Sequence, residues 1–179
     1  MRRTFLLGPL VLIATPALSA DTAALVSGLQ VGERPAGFTV LTVTGSKPGT
    51  TLCYRCRYGI FPTICIFARE ISQPLTELIA RIDARIAETP ELKCFVVFLT
   101  EDDLEDRLKA LAREKNLKHI PLTTLKPSDS PPNYKIAAGA GVTVMIWKDL
   151  VVRSNHAFDR IADTDLEAVL ADLPKVLGK

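Results

Sequence analysis

A Cys-x-x-Cys pair, Cys53 and Cys56, is the feature of this sequence best suited to chemistry. Two thiols at this spacing can form a readily reduced disulfide, and the thiolate is the species that attacks in disulfide exchange. Arg55 and Arg57 flank Cys56, and their positive charges favour the thiolate. The pattern therefore predicts thiol–disulfide exchange, with Cys53 as nucleophile and Cys56 as resolving thiol. A permanent structural disulfide is the alternative that the same spacing allows.

The same pair supplies half of a tetrahedral zinc site, but the sequence supplies the other half poorly. There is no second Cys-x-x-Cys, and the two histidines, His119 and His156, are isolated in the sequence. His119 precedes a predicted strand and is the better candidate ligand, although an ordinary surface histidine is the more frequent case. Covalent haem attachment needs a histidine directly after the pair, where Arg57 stands. We therefore predict no metal site and no cofactor.

Two further cysteines, Cys65 and Cys94, fall inside predicted buried strands. Buried thiols usually pack as small hydrophobic side chains without chemistry. A cross-link between the two would require Cα atoms within about 7 Å of each other. We expect both to be inert, packed thiols.

Residues 1–20, MRRTFLLGPLVLIATPALSA, have the pattern of a cleavable export signal. Two arginines precede an apolar run from Phe5 to Ile13, and the small-residue ending at Ala20 makes Asp21 the expected first mature residue. The same arginines also fit a twin-arginine signal. The apolar run is too short for a transmembrane helix, so no membrane anchor is predicted. We expect a periplasmic or extracellular protein.

The charge of the chain argues against two classes of partner. Removing the two signal arginines changes the formal net charge from +2 to zero. A nucleic-acid or membrane-surface role would need a basic excess, so neither is expected. The mature length of about 159 residues suits one domain with its own core. The expected partner is a protein that carries a disulfide or a dithiol.

A buried strand that runs into an amphipathic helix forms the predicted centre of the fold. Thr63–Ala68 is a run of β-branched and apolar residues, typical of a strand buried on both faces. The helix after it is predicted to start with Ser72 as N-cap and Pro74 in the first turn, and to continue to Glu88. Its apolar residues recur at helical spacing: Leu75, Leu78, Ile79, Ile82 and Ile86.

Strands and helices alternate through the rest of the chain. Residues 21–30 are predicted to be a mobile lead-in or a short helix, and Cys53–Pro62 a loop or a single turn. Helices are predicted after Thr100, over Asn133–Ala138 and from a capping box that starts at Thr164. This alternation implies parallel central strands with helices on both faces. The other predicted strands are Thr39–Thr44, Thr51–Leu52, Lys93–Leu99, Ile120–Leu125, Val142–Trp147 and Leu150–Arg153.

The order of elements and two short motifs resemble the redoxins, the thioredoxin-like proteins of the alkyl hydroperoxide reductase and thiol-specific antioxidant type. Val31–Phe38 is similar to the segment that opens their domain, with Gly37 in place of an acidic residue. In a thioredoxin, the central strand delivers Trp-Cys-Gly-Pro-Cys to the next helix, and Ile71–Leu75 occupies that motif when the prolines are aligned. The resemblance implies a thioredoxin-like three-layer α/β/α sandwich over residues 31–179, with an N-terminal β-hairpin and a mixed central sheet.

The resemblance also implies that the usual active site is degenerate. Ser72 and Leu75 stand where the two thiols would be, and Thr143 stands where the family has a cis proline, so a trans peptide is expected there. A peroxidase like the related peroxiredoxins needs a cysteine between Ala68 and Leu75, and the sequence has none. We expect Cys53 at the opposite end of the sheet from the usual site, because a six-residue strand separates the two ends by roughly 20 Å.

The sequence therefore predicts an exported thioredoxin-like protein that exchanges thiols and disulfides through Cys53 and Cys56. The alternative is a non-catalytic binding or structural module in which these two cysteines form a stabilising disulfide.

Overall fold

The central strand β3, Thr63–Ala68, has six buried residues and pairs along its whole length on both sides. Its parallel partner is β4, Lys93–Leu99, and its antiparallel partner is β6, Val142–Lys148. β3 and β4 have the predicted bounds. The computed structural model describes residues 25–178. The predicted export signal, residues 1–20, lies outside this range.

Seven strands form one mixed sheet. The remaining four are β1 (Val40–Thr42), β2 (Thr51–Leu52), β5 (Leu122–Leu125) and β7 (Val151–Phe158). The strand order is β2-β1-β5-β4-β3-β6-β7, with β3, β4 and β5 parallel and all other pairings antiparallel. The predicted α/β fold class, with an N-terminal hairpin and a mixed central sheet, is confirmed.

Four helices pack on one side of the sheet, here called the helix face. They are α2 (Gln73–Glu88), α3 (Glu105–Glu114), α4 (Asp163–Ala171) and α5 (Pro174–Leu177). The predicted apolar stripe of α2 lies in this core, and each fully buried Leu or Ile contributes about 1.5–3 kcal/mol. No helix within residues 25–178 is both long and apolar enough to cross a membrane.

The opposite side of the sheet, here called the aromatic face, is covered differently. One short helix, α1 (Tyr54–Tyr58), lies there, together with a covering segment, residues 27–38, and the buried ring of Tyr134. The Phe38 ring centroid is 5.6 Å from that of Phe67 and 4.8 Å from that of Tyr134. The third layer is therefore made mostly of irregular chain and aromatic side chains.

The covering segment includes residues that the sequence predicts to be mobile or helical. In the described part of that stretch, residues 25–30 form no helix. Ser27 and Leu29 are buried, and the Asn155 side-chain amide donates to the carbonyls of both, at 2.9 and 2.7 Å. The segment is thus fixed to β7. A domain boundary at residue 31 stays a prediction.

Two of three predicted helix starts differ from the structure, and the third, that of α2, agrees. Ser72 is the N-cap of α2, as predicted, but its hydroxyl makes no capping bond. α3 begins at Glu105, because the Thr100 hydroxyl accepts from the Asp102 amide and forms a separate turn before the helix. α4 begins at Asp163, and the Asp165 carboxylate accepts a hydrogen bond from the Ala162 amide. The predicted cap at Thr164 is therefore wrong.

Two shorter elements also differ. The hairpin between β6 and β7 turns at Asp149 and Leu150, with φ of 53° and 58°, one residue later than predicted. Two consecutive residues with positive φ give the turn a twist that matches the strands, which explains why a leucine is held there. The helix predicted over Asn133–Ala138 is a single 3-10 turn, Pro132–Tyr134.

A buried carboxylate links α2 to the start of β5. Asp83 is 7% exposed and accepts the backbone amides of Lys118, His119 and Ile120, the last two at 2.8 and 3.0 Å. Asp83 falls between the apolar positions of α2, where side chains usually face solvent, yet it is buried. Three amide donors compensate the buried charge.

We expect Asp83→Ala to lower the free energy of unfolding by about 3 kcal/mol, because three amides at a buried turn lose their acceptor. Urea denaturation measures the difference. Glu88→Ala is the matched control on the same helix. Among residues 25–178, Glu88 pairs with Arg85 alone, in an exposed contact, so the control should change stability by less than about 0.5 kcal/mol. Equal stabilities for the two variants would contradict this role of Asp83.

Candidate functional site

The Cys-x-x-Cys pair lies on helix α1, where the sequence predicts a loop or a single turn. Cys53 is the N-cap residue, and Cys56 lies in the middle of the helix. The two form a disulfide with Cα atoms 5.3 Å apart. The Cys56 amide donates to Cys53 Sγ at 3.1 Å. A hydrogen bond of this kind stabilises negative charge on sulfur, so it favours the Cys53 thiolate when the disulfide opens.

A sequence signal for α1 exists. Tyr54 and Tyr58 are four residues apart, so they lie on one helix face, and Gly59 follows at the position where helices commonly end. Gly59 has φ of 57°, and its amide donates to the Arg55 carbonyl. The helix is hard to recognise in the sequence because aromatic side chains, not an aliphatic stripe, provide its buried face.

The two tyrosines anchor α1 to the aromatic face. Their ring centroids lie 5.5 Å and 6.1 Å from that of Phe95 on β4. The Tyr54 hydroxyl is 3.2 Å from the Thr42 hydroxyl, and the Tyr58 hydroxyl donates to the Cys94 carbonyl at 3.3 Å. Burial, with smaller contributions from Cys94 and Tyr54, raises the pKa of Tyr58. α1 therefore crosses the sheet from β1 towards the start of β4.

The register of the sheet corrects the predicted position of the cysteines. One row of paired residues runs from Thr51 through Leu41, Thr124 and Phe98 to Ala68. β2 runs in the same direction as β3. Cys53, two residues after Thr51, therefore lies past this row in the direction in which β3 runs towards the start of α2. The prediction that the pair lies at the opposite end of the sheet is therefore wrong.

Cys53 nevertheless leaves the sheet at a different strand from the usual site, since it directly follows β2. Four strand spacings lie between β2 and β3, which is roughly 19 Å across the sheet. The displacement is sideways rather than along the strands. The prediction went wrong because it treated the residues before β3 as a loop, whereas α1 carries the chain back along the sheet before β3 begins.

The covering segment passes directly beside the disulfide. A Cβ atom placed on Gly37 would lie 3.0 Å from Cys56 Sγ and 3.5 Å from Cys53 Sγ. Arg55 Nε donates to the Pro35 carbonyl at 3.0 Å, and the Tyr134 hydroxyl donates to the Ala36 carbonyl at 2.7 Å. Gly37, which replaces an acidic residue of the redoxin pattern, makes room for the sulfur atoms.

Exposure differs between the two cysteines. Cys56 is exposed and Cys53 is half-buried, so solvent reaches the pair from the Cys56 side. Arg57, directly after Cys56, is also exposed. A partner molecule can therefore approach the disulfide without unfolding of α1.

The other two cysteines are not part of the site. Cys65 and Cys94 are free, and each is at most 1% exposed. Burial raises the pKa of both thiols, which keeps them protonated at neutral pH. Cys65 pairs with Phe95 and faces the aromatic core, whereas Cys94 pairs with Ile64 and faces the helix core. Side chains on opposite faces of a sheet cannot be cross-linked, and the predicted inert packing is confirmed.

The position of the usual active site contains no thiol. Ser72 and Leu75 begin α2, and Leu75 is fully buried. All peptide bonds within residues 25–178 are trans, as expected at Thr143. The Ser27 hydroxyl lies 2.7 Å from the Thr143 hydroxyl, and a Cβ atom on Gly28 would lie 2.7 Å from Thr143 Cγ2. The chain's own covering segment thus occupies the surface beside Thr143.

The two histidines lie in different surroundings. His156 Nε2 is 3.1 Å from the Ser154 hydroxyl and 3.0 Å from an Asp172 carboxylate oxygen. Both partners contact the same ring nitrogen, so the cluster lacks the arrangement of a catalytic triad, in which one ring nitrogen faces the carboxylate and the other faces the serine. Partial burial raises the pKa of Asp172, but hydrogen bonds from Lys175 and Ser154 outweigh it and hold the pKa below its usual range. The cluster joins β7 to the end of α4.

The zinc hypothesis finds no ligand set in the described range. Residues 25–178 contain no group of three or more histidine, cysteine, aspartate or glutamate side chains placed to hold a metal ion. His119 is exposed at the start of the chain leading to β5 and does not join Cys53 and Cys56 in such a group.

Comparison with known proteins identifies the fold. No protein-family model matches the sequence, and no curated protein matches it. A proposed protein disulfide isomerase from Bacteroides thetaiotaomicron superposes with a TM-score of 0.64 at 10% identity, over 87% of this chain and 96% of that chain. The chain has a thioredoxin-like fold.

Further solved thioredoxin-like structures are also similar. A proposed thiol:disulfide interchange protein DsbE from Chlorobium tepidum has a TM-score of 0.57 at 16% identity, over 81% of this chain and 99% of that one. Peroxidoxin BcpB from Mycobacterium tuberculosis has a TM-score of 0.59 at 15% identity, over 83% of this chain and 98% of that one. At these identities the likeness establishes the thioredoxin-like fold alone.

We expect Gly37→Ala to destabilise the oxidised protein by about 1–2 kcal/mol, because the added methyl group crowds Cys56 Sγ. The reduced protein should lose less, because a free thiol can rotate away. Denaturation of both redox forms measures the difference. Gly139→Ala is the control, since Gly139 has an ordinary φ and no atom within 4 Å of its added Cβ. Equal losses in the two redox forms of Gly37→Ala would contradict the contact.

Proposed function

We propose that this protein is an exported thioredoxin-like thiol–disulfide exchange protein, with Cys53 and Cys56 as its reactive pair. The observation that carries the proposal is the disulfide on α1, with Cys56 exposed and the Cys56 amide bonded to Cys53 Sγ. The partner is a protein that carries a disulfide or a dithiol.

The reduced pair would act in two steps. The Cys53 thiolate, favoured by the Cys56 amide, attacks one sulfur of a partner disulfide, and the partner's S–S bond breaks as a Cys53 mixed disulfide forms. The Cys56 thiolate then attacks Cys53 Sγ and releases the partner's second thiol. Two electrons pass from this protein to its partner, and the reverse sequence oxidises a partner dithiol. Arg57 directly follows Cys56 in the chain, and a positive charge near the pair favours the thiolate.

The alternative function is structural, and the contact with Gly37 favours it. A disulfide packed against the covering segment can hold α1 and that segment together. The small stabilisation that this disulfide can provide argues against a structural role as its main function. The bond closes a loop of only a few residues, for which chain entropy gives about 2 kcal/mol, and it connects no two distant elements of the sheet. A stabilising cross-link is more effective across a long loop.

A redox titration in glutathione buffers tests the exchange function. We expect the Cys53–Cys56 disulfide to equilibrate across a range of roughly −180 to −260 mV, and Cys53→Ser to abolish exchange with a peptide disulfide. Alkylation of the native reduced protein provides an internal control, because only two of the four thiols should react while Cys65 and Cys94 remain protected.

One outcome would decide against this function, and another would exchange the roles of the two cysteines. A disulfide that stays oxidised throughout the glutathione range, with no exchange activity, would support the structural alternative. The roles of the two thiols are tested by trapping. Cys56→Ser should accumulate a mixed disulfide at Cys53, whereas accumulation only in Cys53→Ser would reverse the two assignments.

Export is a separate part of the proposal and rests on the sequence of residues 1–20. We expect the full chain, expressed in a bacterium, to yield a periplasmic or secreted form that begins at Asp21. Intact mass and N-terminal sequencing of the fractionated protein measure this. A chain that keeps residues 1–20 and remains in the cytoplasm would contradict it.

A further inference from the structure

A basic cleft of about 510 Å³ opens at the end of α1 that is farther from the disulfide. It lies where β4 begins and where the chain enters β5. The cleft is defined here by six of its lining residues: Arg57, Tyr58, Phe61, Lys93, Lys118 and His119.

The positive charge of the basic cleft is not neutralised by the residues that line it. No carboxylate side chain is among them. Within residues 25–178, Arg57, Lys93 and Lys118 form no ion pair. The nearby Asp83 carboxylate is buried, and it accepts hydrogen bonds from the backbone amides of Lys118 and His119. Arg57 and Lys118 are exposed, so the cleft presents their charge to solvent.

Exposed apolar side chains lie beside this charge. Phe61 lines the cleft and is 48% exposed, and its chain neighbour Ile60 is 66% exposed. Lys93 Nζ lies 5.5 Å from the Phe61 ring centroid, so cation and aromatic ring share one wall of the cleft. The surface therefore matches a ligand that has negative charges next to an apolar side chain.

The basic cleft is continuous with the reactive pair through α1. Arg57 directly follows Cys56 and lines the cleft, and Tyr54 and Tyr58 of the same helix lie along its wall. A helix of five residues is about 7.5 Å long, so a short peptide can reach the disulfide and the cleft at the same time.

We propose that the basic cleft docks an acidic segment of the protein partner, with a large apolar side chain packed near Phe61. This inference deepens the exchange function and rests on it. The cationic side chains come from three separate elements, which suits an extended chain with several carboxylates better than one small anion. The docked segment would place the partner's cysteine at Cys53 and Cys56, where the two-step exchange described above takes place.

Exchange rates with matched peptides test the proposal. Two peptides, each with one internal disulfide and one phenylalanine, differ only in carrying glutamates or lysines. Reduced protein should react at least about tenfold faster with the acidic peptide at low ionic strength. The difference should disappear near 1 M salt, where the Debye length is about 3 Å. Equal rates at low salt would overturn the inference.

Charge reversal locates the effect. Lys93→Glu combined with Lys118→Glu should lower the rate with the acidic peptide about tenfold and raise the rate with the basic one. Reaction with a neutral small disulfide, 2-hydroxyethyl disulfide, should not change. Arg153→Glu, at an exposed position of β7, is the control and should leave the preference intact. Loss of the preference in the control would mean that overall charge, not the cleft, causes it.

A binding measurement separates this inference from the exchange function. The Cys53→Ser, Cys56→Ser double variant should bind a fluorescent acidic peptide that lacks cysteine, and the two charge reversals should abolish that binding. Complete displacement of the peptide by millimolar phosphate or glutathione would assign the cleft to small anions and overturn the inference. If the neutral disulfide reacts but the acidic peptide does not bind, the exchange function stands and the docking site is rejected. If the peptide binds but no disulfide reacts, the exchange function fails alone.

Discussion

The packing of Tyr54 and Tyr58 on Phe95 is the interaction on which the candidate site depends. A helix of five residues does not form on its own in water, because nucleation costs more than one turn of hydrogen bonds returns. α1 exists because two buried or half-buried rings and two tyrosine hydroxyl bonds hold it to the sheet. The capping of the Cys56 amide by Cys53 Sγ follows from that docking. The basic cleft also depends on the docking of α1, since Arg57 and Tyr58 form part of its wall.

The structure combines an ordinary scaffold with an unusual distribution of chemistry. Thioredoxin-like relatives deliver thiols at the start of the helix after the central strand, and this chain has Ser72 and Leu75 there. The surface beside Thr143 is occupied by residues 27 and 28 of the same chain. The disulfide lies instead on α1, beside the covering segment, and the basic cleft lies where β4 begins and the chain enters β5. The covering segment and α1 thus share the aromatic face, one beside Thr143 and the other with the cysteine pair.

The sequence predicts the central strands and α2 well, and for a clear physical reason. Residues of β3 and β4 are buried on both faces, which produces uninterrupted apolar runs, and α2 has the regular spacing of a helix packed on a sheet. α1 has neither pattern. Its stability comes from tertiary contacts with Phe95, Thr42 and the Cys94 carbonyl, which no local rule reveals.

The errors in the candidate site follow from that one missed helix. Once Cys53–Pro62 is treated as a loop or a single turn, Cys53 is placed next to the start of β3, although the register places it level with the other end of β3, directly after β2. Asp83 was unpredictable for a related reason, because its partners are backbone amides 35 or more residues away. The disulfide itself follows from the spacing of Cys53 and Cys56, which fits one turn of chain in either conformation.

The opposite orientations of Cys65 and Cys94 have a consequence for how the chain acquires its native bonds. Four cysteines allow three fully paired arrangements, and the native state contains one bond and two separate thiols. If the unfolded chain is oxidised before the sheet closes, a bond between Cys65 and Cys94 blocks the alternating placement of side chains in β3 and β4. Maturation in an oxidising compartment then requires either that folding outruns oxidation or that an isomerase reopens the wrong bond.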